Sequence, residues 1–77
     1  LDAHRLWVIK LKESGHKIAS GYLVNKQGIP GGGGFLILQS TNYENAKSVI
    51  EKDPIIIAGL VNWSLKEWIQ VSGNLLD

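Results

Sequence analysis

Phe35-Leu36-Ile37-Leu38 is a continuous apolar run, the pattern of a central strand covered on both faces. Before it stand Gly31-Gly32-Gly33-Gly34, and before those Asn25, Gln27, Gly28 and Pro30. This turn chemistry makes residues 25–34 a mobile hairpin connection. The other arm is residues 17–24, where Ile18, Ser20, Tyr22 and Val24 alternate with Lys17, Ala19, Gly21 and Leu23, the period of a strand. Apolar side chains occur in both sets, so cover is expected on both faces here too. What flanks this hairpin decides the fold.

On its N-terminal side, residues 2–14 read as a helix. Ala3, Trp7 and Leu11 recur at i, i+4 and i+8, Leu6 and Val8 widen the stripe, and Arg5, Lys10, Lys12 and Glu13 fall largely elsewhere. Gly15 is a natural stop, and Lys10 and Lys12 suit the negative end of the helix dipole. On the C-terminal side, Thr41-Asn42-Tyr43-Glu44 has the spacing of a capping box, with the Thr41 hydroxyl facing the Glu44 amide. A second helix follows, burying Tyr43, Ala46, Val49 and Ile50. It ends before Asp53-Pro54, because a residue preceding proline is disfavoured in helical conformation. Asp53 then caps a short helical turn with Pro54 in its first position, closing at Gly59. Beyond it residues 62–71 alternate again, with Trp63, Leu65, Ile69 and Val71 on one side and Ser64, Lys66, Trp68 and Gln70 on the other, as a last strand would.

The order helix, strand, strand, helix, strand becomes βαββαβ when one strand is added in front, the ferredoxin-like α+β arrangement of two βαβ units. Its first strand is central, so the sequence predicts a strand that either precedes Leu1 or is supplied by another chain. The 77 residues thus read as one domain, incomplete at its N-terminus. A chain this short buries only about 60% of the surface its unfolded form exposes and is often supplemented by disulfides, metal or a partner. With no cysteine, disulfides and thiolate metal sites are excluded, which leaves a partner chain as the favoured supplement. Trp7 and Trp63 are expected in the core; Trp68, on the opposite strand face, is either covered by a second subunit packed sheet to sheet or is a lone exposed tryptophan.

Charge and hydropathy exclude further classes. Eight Lys/Arg against seven Asp/Glu, a net charge of +1, provide no field to gather phosphates or an anionic membrane. The longest apolar run, Ile55-Ile56-Ile57-Ala58-Gly59-Leu60-Val61, is far below the roughly 20 residues of a membrane span. A soluble cytoplasmic protein is expected, with neither nucleic-acid nor membrane partners. The RNA-recognition variant of this topology is disfavoured, because residues 31–38 lack its leading basic residue and two of its stacking aromatics. No nucleophile elbow, phosphate loop, dinucleotide fingerprint or zinc-spaced histidine pair is present, so no cofactor or metal is predicted.

Two residues carry the candidate chemistry. His4 sits at the border of the first helix's apolar stripe, one turn before Val8, and imidazole is the side chain that changes charge near neutrality. Asp53 is its one plausible partner in a special local setting. Both helices of the fold pack on one sheet face, so their ends can meet across a cleft, where an ionised Asp53 would orient the imidazole. Structural readings compete with this: a helix-edge histidine is commonly a surface residue, and an aspartate before proline is commonly only a cap. His16, after Gly15, reads as a turn residue.

In order along the chain, His4 and Trp7 in a helix ending Glu13-Ser14-Gly15, Ile18-Ala19-Ser20-Gly21, Gly33-Gly34-Phe35-Leu36-Ile37-Leu38, Glu44-Asn45-Ala46, and Asp53-Pro54 with Ala58-Gly59-Leu60 resemble the YCII-related family of small dimeric α/β-barrel proteins. The resemblance covers nearly the whole chain. It implies a ferredoxin-like subunit that pairs its open sheet face with a second copy around a small cavity for a small-molecule ligand. It also implies an acid–base dyad, which maps onto His4 and Asp53. One relative is a dehydrochlorinase acting on a chlorinated hydroxyquinol, and the wider superfamily includes muconolactone isomerase-like enzymes. Two departures bear on the cavity: Tyr22 stands where the family often has proline, and Ile55 where it often has phenylalanine. The expectation is a cofactor-independent lyase or isomerase moving a proton through His4, against the alternative of a non-catalytic ligand-binding or dimerisation module.

Overall fold

The computed structural model describes residues 2–75. Its elements are α1 (Asp2–Glu13), β1 (Ile18–Val24), β2 (Pro30–Leu38), α2 (Tyr43–Ile50) and the one-turn α3 (Pro54–Ile57). β1 and β2 form an antiparallel hairpin, and α1 packs against both β1 and α3. The chain is α+β, as expected, and is consistent with a ferredoxin-like fold without its leading strand.

The turn residues act as their chemistry dictates. α1 stops in a Schellman motif at Gly15: the His16 N–H donates to the Leu11 carbonyl and the Gly15 N–H to that of Lys12, both at 3.0 Å. Gly15 has φ +96°, a conformation favouring glycine. The same motif closes α3, where Leu60 N–H reaches the Ile55 carbonyl and Gly59 N–H that of Ile56, with Gly59 at φ +69°. At the start of α2 the cap is Asn42 rather than Thr41; its side chain accepts from the Asn45 N–H at 2.8 Å. Both residues favour the N-cap position, and the extended Asn42 backbone, φ −162° and ψ 173°, decides between them.

The glycine run belongs to β2, not to the connection. The connection is confined to residues 25–29, where the Asn25 side chain accepts from the Gln27 and Ile29 N–H groups and fixes the turn. Between the pairs Tyr22/Gly34 and Val24/Pro30, two steps along β1 face four along β2. That irregularity is taken up at Gly31 and Gly33, with φ +145° and +92°, as glycine permits in a bulged strand.

Residues 62–71 form no strand. Alternating side chains prepare a segment for a sheet, but a strand exists only through a paired neighbour. In the ferredoxin-like order the last strand pairs with the first, and no strand precedes α1 among the described residues. Trp63 is accordingly not core but 40% exposed, and Trp68 is 61% exposed.

The core is small. Ile18, Ala46 and Ile50 are the buried apolar residues among those described. Val49 is half-buried and Tyr43 is 40% exposed. On α1 the inward stripe is His4, Trp7, Val8 and Leu11, all half-buried, whereas Ala3 and Leu6 face solvent. His4 therefore lies within the stripe rather than at its border. The hairpin is not covered on both faces: Phe35 is 62% exposed, and Leu36, Ile37 and Leu38 are half-buried.

Candidate functional site

The site grows from one capping residue. Asp53 ends the turn after α2, its N–H donating to the Ile50 carbonyl at 2.9 Å. At φ −62° and ψ 125° it enters α3 as N-cap, its Oδ1 accepting from the Ile55 N–H at 3.1 Å while Pro54 fills the position that needs no donor. That bond occupies one carboxylate lone pair and leaves others unused. Asp53 is 3% exposed, the one buried charged residue among those described, and such a group needs further partners.

His4 supplies them. Its Nδ1 lies 2.8 Å from Asp53 Oδ2 and 3.0 Å from Oδ1. The two residues are 49 apart in sequence and meet because α1 packs against α3. One turn on, the Trp7 ring lies 5.8 Å from the imidazole, tilted by 36°, and covers part of it; the His4 side chain is 19% exposed. The predicted pair is thus brought into direct contact.

A third residue joins them. Ser20 Oγ lies 2.9 Å from His4 Nε2. Sequence periodicity gave no reason to single out Ser20, because a serine within an alternating strand is neutral in that pattern. The available signal was positional: Ser20 shares a strand face with Ile18, the residue β1 buries, and α1 must lie over that face. His16 takes no part. It lines an open groove of about 410 Å³ with Leu38, Gln39, Ser40, Thr41 and Asn45, which includes none of His4, Ser20 and Asp53.

The hydrogen-bond inventory fixes the polarity of this chain. An ionised carboxylate only accepts, so His4 donates from Nδ1 to Asp53. In the neutral imidazole Nε2 then holds the free lone pair and accepts from the Ser20 hydroxyl; once protonated, Nε2 donates back to Oγ. Asp53 thereby holds the ring in one tautomer, and Nε2 faces the exposed Ser20 hydroxyl. No group of three or more His, Cys, Asp or Glu side chains suited to a metal ion occurs among the described residues, and no helix there is long and apolar enough to cross a membrane.

The family model of the YCII-related domain matches residues 1–69. No curated protein and no solved structure matches the chain.

Proposed function

The chain belongs to the YCII-related domain family, and on that premise we propose that it is a small-molecule enzyme in which His4 transfers a proton, Asp53 orienting its ring. The observation that carries this reading is the contact of a buried Asp53, anchored by the Ile55 N–H, with His4 Nδ1, which leaves Nε2 as the working nitrogen. A cap alone needs only the Ile55 N–H. Lyase or isomerase chemistry on an activated carbon acid requires a base that is neutral near pH 7 and an acid to return the proton, and one imidazole serves both steps. Substrate would meet Nε2 at the Ser20 side, where the site opens to solvent.

The direct test incubates the wild-type protein in D2O with small carbon acids, chlorinated hydroquinones and unsaturated lactones, and follows exchange at carbon by proton NMR. Exchange well above the buffer rate with at least one of them is expected. Ligand-induced shifts with no exchange would instead establish the competing reading, a non-catalytic binding module.

The same proposal includes a second copy of the chain on the open sheet face. Ser20 touches α1 and Ile18 is buried, so Ala19, Gly21 and Leu23, with Phe35 and Ile37 across the ladder, face away from the helices. Phe35 and Leu23 are 62% and 47% exposed there. Burying Ile18 and Ile50 contributes roughly 1.5–3 kcal/mol each, while ordering costs about 1–2 kcal/mol per residue. A fold with so small a core gains from further cover. Phe35→Glu is expected to shift a dimer to monomer in sedimentation velocity; an unchanged sedimentation coefficient would contradict this interface.

A further inference from the structure

We propose that Ser20 is a nucleophile, activated by His4 and Asp53, and that the site accepts acyl groups from small activated carboxylic esters. The inference rests on the reading of His4 as a base held by Asp53, and goes beyond it in naming the proton taken. The nearest proton to Nε2 is that of the Ser20 hydroxyl, 2.9 Å away. With Nδ1 committed to Asp53 at 2.8 and 3.0 Å, the arrangement has the roles of a nucleophile, a base and an orienting carboxylate. The three side chains come from β1, α1 and the turn before α3, and the first is exposed to incoming reagents while the last is sealed.

The strand provides a second element. The Gln39 N–H donates to the Lys17 carbonyl at 2.9 Å, continuing the ladder beyond Ile18/Leu38. Hydrogen-bonded and non-bonded pairs alternate in an antiparallel ladder. With Lys17/Gln39 bonded, Ala19/Ile37 are bonded too, and Ser20 sits opposite Leu36 in a non-bonded pair. Its own N–H is therefore directed away from β2, at the free edge of β1. That N–H, on the same residue as Oγ, is the donor we assign to the oxyanion of the acyl-transfer intermediate. Gly34, across from Tyr22 on the same face, places no side chain beside the hydroxyl.

The balanced step is attack of Oγ on the ester carbonyl carbon, with the Ser20 proton passing to Nε2. The C–O bond to the leaving alcohol then breaks, and the alcohol takes that proton. Water, deprotonated by Nε2, cleaves the acyl-serine and restores the hydroxyl, releasing the carboxylic acid.

A fluorophosphonate tests this without a known substrate, since attack by Oγ at phosphorus expels fluoride and leaves a stable adduct. Intact-mass and peptide mass spectrometry of the wild-type protein should find one adduct, on Ser20. Ser20→Ala, which removes only an exposed hydroxyl, should give none, and His4→Asn should label at least 100-fold more slowly, both with unchanged circular dichroism. No adduct on the wild type, an adduct elsewhere, or equal labelling in His4→Asn overturns the proposal. If labelling fails while wild-type deuterium exchange proceeds, Ser20 is not the nucleophile and the proton-transfer reading stands; if both fail, both readings fall.

Discussion

His4→Asn lowers catalysed deuterium exchange by about 10³-fold, within the 10² to 10⁴ range of general acid–base catalysis, while leaving the protein folded. The choice of asparagine follows from the site. His4 donates from Nδ1 to a carboxylate that is 3% exposed, so an alanine would strand a buried charge and confuse loss of chemistry with loss of structure. The asparagine amide nitrogen occupies nearly the place of Nδ1, keeps a donor for Asp53, and has nothing at the place of Nε2. Exchange in His4→Asn equal to wild type would remove His4 from the chemistry.

Asp53→Ala is expected to lower the free energy of unfolding by about 3 kcal/mol, read from urea denaturation. The loss combines the cap on Ile55 N–H, about 1 kcal/mol, with the partner of a half-buried imidazole. A small domain has only about 5–15 kcal/mol in all. Asp53→Asn separates the two roles. Its amide oxygen still accepts from Ile55, but its NH₂ then faces His4 Nδ1, and two donors cannot bond. The imidazole must carry its proton on Nε2, where it can take none from substrate or from Ser20. Asp53→Asn should therefore cost only about 1 kcal/mol of stability yet slow exchange by roughly 10² to 10³. Wild-type exchange in Asp53→Asn would reduce Asp53 to a cap.

The parts of this architecture that were legible in the sequence are those set by local chemistry. Gly15, Asp53-Pro54 and Gly59 announce helix ends because few other residues fit those backbone conformations or donor patterns, and all three act where expected. His4 and Asp53 could be paired on the expectation that both helices share one sheet face; they meet where α1 packs against α3. The misreadings share a cause: each required knowledge of what lies alongside. Residues 31–34 look like a loop, yet glycine joins a strand when its partner offers a ladder with excess length to absorb. Trp63 and its neighbours alternate as a strand would and find no partner among the described residues. Ser20 is invisible to periodicity and becomes significant only because α1 sets Nε2 against it. Ala3 and Leu6 look like part of a helical stripe, but the face that α1 turns inward runs through His4, Trp7, Val8 and Leu11.

The central claim is that Asp53 fixes the His4 ring so that Nε2 is the free, proton-accepting nitrogen. Nitrogen-15 NMR of the imidazole reads this directly, because protonated and unprotonated ring nitrogens resonate far apart. For the neutral ring the account predicts a proton on Nδ1 in the wild type and on Nε2 in Asp53→Asn. A wild-type ring protonated on Nε2, or averaging between tautomers in the same way as in Asp53→Asn, would contradict it.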